Sequence, residues 1–221
     1  VVAAVVLFQP DCRRPTGLDD SKKLKPAERE RLYAAIQRTA SSYGIGVATP
    51  QEIDLLNILD ATRLAARRAL AQLTAKPALL VTDCLELPGS EVPVIPIIKG
   101  DAICSSISAA SILAKVTRDR MMADYAAQFP EYNWAGNKGY PTPDHYAALQ
   151  EYGPCTLHRL SFSGVTFFDR EVRWSPLGLR LRERAESSHS TESRLALRSE
   201  ITSLAAQLPP LEVAELLALL P

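Results

Sequence analysis

The stretch from Val92 to Met122 constrains this chain most. An apolar run, Val92 to Ile98, passes through Lys99-Gly100 into Asp101, and helical spacing takes over at Ile103, Ile107, Ala110, Ala114, Thr117 and Met121. Asp101 therefore stands where a strand becomes a helix. The first half of that helix is built of small residues (Ser105, Ser106, Ser108, Ala109, Ala110, Ser111), so its backbone can approach a sheet or a ligand closely. Taken alone, an Asp at a helix start is a cap or a complement to the helix dipole. Its neighbours give it a second reading.

The rest of the chain supplies an α/β pattern around this unit. Val1 to Phe8 is a continuous Val-rich run, as expected of a strand covered on both faces. A polar loop, Gln9 to Gly17, leads to Asp19-Asp20-Ser21-Lys22-Lys23-Leu24, with Arg13, Arg14 and Lys25 close by. That basic loop is either solvated surface or an edge that grips phosphates. Pro26 opens a helix lined by Leu32, Ala35, Ile36 and Thr39, and Ile45 to Ala48 reads as a short strand. Thr49-Pro50-Gln51-Glu52 has capping-box spacing and predicts one helix with a buried stripe at Ile53, Leu56, Leu59, Leu64, Leu70 and Leu73. Ala78 to Val81 predicts a buried strand ending at Thr82-Asp83. Pro93 and Pro96 put the strand Val92 to Ile98 near a sheet edge, because neither can donate a ladder hydrogen bond.

Two carboxylates, Asp83 and Asp101, thus each follow a strand, where ligands of open α/β sheets gather. Together they could share a metal ion; alone, Asp83 reads as a turn residue. Farther on, the Gly139-Tyr140-Pro141 turn leaves the Tyr140 ring at the surface beside Lys138, able to stack on a sugar or base. Thr142-Pro143 opens a helix through His145, Leu149 and Tyr152 that stops at Gly153. His145 and His158 read as packed or hydrogen-bonded residues and receive no catalytic role.

Composition excludes some classes. The 221 residues carry zero formal net charge, so no global field draws the chain to nucleic acid or anionic lipid, and any polyanion site is local. Cys12, Cys84, Cys104 and Cys155 form no C-x-x-C pair, and no secretory signal is visible. Reduced thiols in a cytoplasmic setting are the expectation. The opening apolar run is too short to span a bilayer.

Five motifs in order resemble ribonuclease HII: Asp20-Ser21-Lys22-Lys23-Leu24; Leu56-Asn57-Ile58-Leu59 with Ala61-Thr62; the run from Lys99 to Asp119; Gly139-Tyr140-Pro141-Thr142 through His145; and His158-Arg159 with Ser161-Phe162. The resemblance extends from Val1 to about Phe162. It implies an RNase H-like fold, a mixed β-sheet flanked by helices, and a metal-dependent endonuclease that cuts the RNA strand of RNA–DNA hybrids, or duplex DNA with embedded ribonucleotides. By the same resemblance the cofactor is Mg²⁺ or Mn²⁺, and cleavage leaves 5′-phosphate and 3′-hydroxyl ends. Asp83 and Asp101 match two of the family's four metal-binding carboxylates, Lys22 a phosphate-contacting lysine, and Tyr140 the tyrosine that packs on the sugar at the RNA–DNA junction.

One departure accompanies the match. The family's Asp-Glu-Ala-Gly-Arg-Gly signature, at the end of its first strand, should lie just before Val1 and is absent from this sequence. The absence of an initiator Met and the opening in mid-strand fit a chain that begins inside a domain. Without the signature's two carboxylates this chain is expected to be inactive. A non-catalytic hybrid-binding protein is the alternative, and a metal-free ribonuclease using His145 and His158 would instead release a 2′,3′-cyclic phosphate. The expected division is a catalytic domain over 1–170 and an extension over 171–221. In the extension Arg180 to Ser193 reads as a linker, a helical stripe follows at Leu195, Leu197, Ile201, Leu204 and Leu208, Pro209-Pro210 breaks it, and Leu211 to Leu220 completes a helical hairpin.

Overall fold

The computed structural model describes residues 1–166, 176–208 and 210–220. The boundary expected at residue 170 and the helix-breaking Pro209 lie outside the described residues. The chain divides into two compact units, one of Val1–Ala48 with Leu59–Ala127, the other of Thr49–Ile58 with Gln128–Pro221. Each is described by itself.

The elements of the first half are β1 (Val2–Leu7), α1 (Pro26–Thr39), β2 (Ser42–Val47), α2 (Pro50–Leu56), α3 (Ile58–Leu70), β3 (Leu80–Asp83), β4 (Val94–Ile97), α4 (Gly100–Ile103) and α5 (Ser105–Gln128). The second half adds α6 (Trp134–Asn137), α7 (Pro143–Tyr152), α8 (Ser163–Thr166), α9 (Pro176–Ser187), α10 (Thr191–Leu204) and α11 (Pro210–Ala218).

In the first unit the strands form two separate pairs. β1 runs antiparallel to β2, from Val2 opposite Val47 to Leu7 opposite Ser42. β3 runs parallel to β4, from Leu80 beside Val94 to Asp83 beside Ile97. Both strand directions of a mixed sheet are present, but no ladder joins the pairs. The core forms where Leu32 and Ile36 of α1 meet Val6 of β1, Phe8, and Ala109, Ile112, Leu113 and Val116 of α5. Five of these, Leu32, Ile36, Ala109, Ile112 and Leu113, have no exposed surface, and burial of each Leu or Ile among them is worth about 1.5–3 kcal/mol.

The single helix expected from Thr49 to Leu73 is two. Asn57 has φ +71°, which ends α2, and α3 starts afresh at Ile58. The predicted stripe is buried only at Ile53: Leu56 and Leu59 are exposed, Leu64, Leu70 and Leu73 are half-buried, and α3 instead buries Ala61, Ala65 and Ala69. Glycine explains the choice of alanine. A Cβ on Gly46 would lie 1.9 Å from the Ala65 carbonyl oxygen, and one on Gly44 2.0 Å from that of Ala69, so bare backbone and small side chains bring α3 against β2. The capping box at Thr49 and Glu52 forms as expected, with Glu52 N–H donating to Thr49 Oγ1 at 3.2 Å and Thr49 N–H to Glu52 Oε2 at 2.8 Å.

In the second unit Tyr132 stacks on Trp134 with ring centroids 5.1 Å apart, and His158 meets Tyr132 edge-on at 4.7 Å. Helices α9, α10 and α11 pack around Leu181, Leu197, Ile201, Leu216 and Leu220, and α11 also contacts α2. The linker expected over Arg180 to Ser193 is therefore helical through Ser187: Leu181 and Ala185 are buried, and Arg182 pairs with Glu186 at 2.8 Å one turn on. Polar composition there marks an outer helix face. Ser190 caps α10, accepting from Ser193 N–H at 3.1 Å, and Leu195 stays exposed. Among the described residues no helix is long and apolar enough to cross a membrane.

Candidate metal and nucleic-acid site

Asp83 ends β3 and is exposed, and its Oδ1 accepts the Gly100 N–H at 2.9 Å. That bond ties the end of one strand to the turn that follows the next. Lys99 takes a left-handed conformation, φ +55°, which lets the chain pass from β4 to α4 across only Ile98 and Lys99. Gly100 packs closely here, since a Cβ would lie 2.5 Å from Ile107 Cδ1 and displace the end of that side chain. Asp101 is then the second residue of α4, and α4 stops at Cys104, whose extended backbone separates it from α5. The Ser108 hydroxyl donates to the Asp101 carbonyl at 2.6 Å and to the Cys104 carbonyl at 3.0 Å, bracing this junction. Ile103, expected on the buried stripe, is instead exposed because it belongs to this separate turn.

The loop bearing Lys22 is latched to α5 on one side and to α1 on the other. Buried Ser21 shares a hydrogen bond with Ser111 at 2.9 Å, and Arg29 donates to the carbonyls of Ser21 and Leu24 at 3.0 and 2.7 Å. Asp20 turns the backbone by accepting the Lys22 N–H at 2.9 Å. Lys22 remains exposed. Partial burial, the Asp83 carboxylate and the Asp20 carboxylate, in that order, push the Asp101 pKa up from its ordinary value, while Lys22 and the Ala102 N–H pull it back. Two of the predicted residues, Asp83 and Lys22, therefore act on the third within one unit. Asp20, which stands beside Lys22 in the motif, also acts on Asp101.

Like charges crowded at strand ends are the setting that a divalent cation relieves, and Mg²⁺ commonly takes one or two carboxylates with water completing its shell. Asp83 and Asp101 fit one such ion by donor chemistry. Among the described residues no group of three or more His, Cys, Asp or Glu side chains is placed to hold a metal.

Tyr140 belongs to the second unit and is 54% exposed. Its turn is stiffened by buried Asn137, which donates to the Tyr132 carbonyl at 2.8 Å and accepts the Gly139 N–H at 2.8 Å through its side chain; the Asn137 carbonyl takes the Tyr140 N–H at 2.9 Å. Lys138 and Gly139 both have positive φ, so the turn projects the ring outward. His145 and His158 are each 7% exposed, and burial followed by the neighbouring His145 lowers the His158 pKa to about 4. A proton shuttle needs solvent or substrate access, which neither ring has. The Ser161 motif also gains a structural reason: Asp54 accepts the N–H groups of Leu160 and Ser161 at 2.9 and 3.0 Å and the Ser161 hydroxyl at 2.6 Å. A cavity of about 600 Å³ beside it, reaching Arg159, Arg198 and Leu217, contains none of the four candidate residues.

The family model of ribonuclease HII matches residues 1–165. A ribonuclease HII of Moorella thermoacetica is 51% identical over 162 residues, 73% of this chain and 78% of that protein. One from Ruminiclostridium cellulolyticum is 47% identical over 162 residues and is covered over only 63% of its length. The crystal structure of the ribonuclease H2 from Pyrococcus horikoshii superposes with a TM-score of 0.60 at 23% identity, covering 76% of this chain and 97% of that one, a likeness of fold.

Proposed function

Because the chain belongs to the ribonuclease HII family, we propose that it is an endoribonuclease that hydrolyses the RNA strand of RNA–DNA hybrids, including single ribonucleotides embedded in DNA. The observation that carries this reading is Asp83 at the end of β3, bonded to the Gly100 N–H next to Asp101, with the Asp83 and Lys22 charges both acting on Asp101. In the proposal these two carboxylates hold Mg²⁺ or Mn²⁺, which when bound supplies an activated water and stabilises the leaving oxygen of an in-line displacement. Lys22 contacts a phosphate of the hybrid and Tyr140 packs on the sugar at the junction, so positioning falls to these side chains and the 2′-hydroxyl distinguishes RNA from DNA. The Ser21–Ser111 and Arg29 bonds fix the loop so that Lys22 meets the backbone without first being ordered.

A second reading has one observation in its favour. With two carboxylates and no third donor among the described residues, the chain alone suits hybrid binding better than two-metal hydrolysis. Both readings are tested by extending the chain ahead of Val1 with a strand ending in the family's Asp-Glu-Ala-Gly-Arg-Gly. The extended protein should nick a duplex carrying one ribonucleotide in Mg²⁺, and Asp101→Asn should abolish nicking while hybrid binding survives. Full turnover by that variant would remove Asp101 from the metal site; binding without nicking in the extended protein would favour the second reading.

A further inference from the structure

We propose that the cavity bounded by α2, α10 and α11 in the second unit is a binding site for a guanine nucleotide. It holds about 600 Å³, a volume typical of small-molecule sites, and contains none of Asp83, Asp101, Lys22 and Tyr140. Arg198 of α10 and Ala214 and Glu215 of α11, which form one wall, lie beyond residues 1–165, the stretch that carries the family match. Nucleotide binding there is independent of nuclease activity.

Three kinds of group line this space, and the first is a planar apolar surface. Phe162 is 42% exposed, and Arg159 lies over its ring with the guanidinium carbon 4.5 Å from the centroid. Buried Ile53, Leu160 and Leu217 line the same cavity. Bases stack on aromatic rings and on guanidinium planes alike, so this pair offers a platform for a heterocycle.

The second is an edge with two donors. Arg198 is half-buried, and its Nη1 donates to the Leu217 and Leu220 carbonyls at 3.2 and 2.8 Å, which closes the end of α11. Both bonds use one nitrogen. Nε and Nη2 have no partner among the described residues, and together they form the fork that takes two phosphate oxygens at once. The bonds through Nη1 hold the guanidinium before a ligand arrives, which lowers the entropic cost of binding.

The third is a carboxylate with nothing to accept. Glu215 is half-buried on α11, and its side chain makes no hydrogen bond or ion pair among the described residues, with Arg198 or any other. Asp54, the other carboxylate of the cavity, already accepts from the Leu160 and Ser161 N–H groups and the Ser161 hydroxyl. Sequestering an unpaired charge is costly, so Glu215 gains most from a ligand that donates to it. An ionised carboxylate accepts through two oxygens side by side. Guanine alone among the bases presents two adjacent donors, N1–H and the N2 amino group, on one edge. Adenine and cytosine set their amino group beside an acceptor nitrogen, and uracil flanks its one N–H with carbonyls. Base choice thus falls to Glu215, stacking to Phe162 and Arg159, and the phosphate to Arg198.

The test titrates the 221-residue chain by calorimetry with guanosine 5′-monophosphate, adenosine 5′-monophosphate, guanosine and inorganic phosphate. The guanine nucleotide should bind at least about ten-fold more tightly than each of the other three. Glu215→Gln should erase the preference over the adenine nucleotide, because the amide offers one acceptor and one donor in place of two acceptors. Ala218→Trp, which fills the cavity from an exposed position on α11, should abolish binding while circular dichroism stays that of the parent chain. Failure of the guanine nucleotide to bind, equal affinity for the two monophosphates, or an undiminished preference in Glu215→Gln would overturn the assignment. So would inorganic phosphate binding as tightly as the nucleotide, since the cavity would then recognise an anion and no base.

Discussion

A methyl group on Gly46 would stand 1.9 Å from the Ala65 carbonyl oxygen, and the obstacle is helix backbone that cannot rotate away. Gly46→Ala should therefore cost at least about 1–3 kcal/mol in urea unfolding, the usual penalty of overpacking; an unchanged midpoint would contradict the close approach of α3 to β2. His158 gives a pH-dependent prediction. Its Nδ1 accepts the Cys155 N–H at 3.0 Å, burial and then His145 lower its pKa to about 4, and its buried Nε2 has no hydrogen-bond partner among the described residues. The unfolded chain binds that proton near pH 6.5 while the folded one does not, so this contribution is full above about pH 6.5 and is lost as pH falls towards 4, on the order of 3 kcal/mol. His158→Gln should flatten the decline of melting temperature over that window, and an unaltered slope would exclude His158 as its source. Tyr140→Ala should weaken cleavage at a single embedded ribonucleotide by about 1–3 kcal/mol, and an unchanged kcat/KM in the strand-extended protein would exclude the proposed stacking. Asp101 and Lys22 could be named as candidates because each sits in a dense motif. The share of Asp20 in the field around Asp101 could not, because it depends on how a loop folds back over α5.

At the scale of elements, what could be read was whatever local chemistry decides. Pro26, Thr49-Pro50 and Thr142-Pro143 each mark a helix start, and all three helices begin there, although Thr142 makes no capping bond through its side chain. The breaks at Asn57 and Cys104 were missed because hydrophobic spacing runs through both; only the backbone angles reveal them. Alanine on α3 was likewise overlooked, since its burial follows from glycines on a strand paired elsewhere in the chain. The helix α9 was read as a linker because its charges form i,i+4 and inter-helix pairs, Arg182 with Glu186 and Arg184 with Glu200, both at 2.8 Å. The bundle it joins is specified by fully buried Ile201 and Leu216. Ile201→Ala should cost about 2–5 kcal/mol in denaturant unfolding, and a negligible change would mean that α9, α10 and α11 do not pack as a unit.

For the whole molecule, the family match and the architecture account for different parts. Residues 1–165 carry the ribonuclease HII match, whereas α9, α10 and α11 lie beyond it and close a core of their own with Leu55 of α2. Strand identities were readable from apolar runs, but the pairing of β1 with β2 and of β3 with β4 was not, because pairing is a property of segments far apart in sequence. The central claim is metal-dependent hydrolysis at Asp83 and Asp101, and product chemistry tests it most directly. The strand-extended protein is incubated in Mg²⁺ with a duplex bearing one ribonucleotide, and the new ends are identified by mass. The account predicts a cut 5′ to the ribonucleotide leaving a 3′-hydroxyl and a 5′-phosphate, abolished by chelation; a 2′,3′-cyclic phosphate formed in the presence of chelator would contradict it.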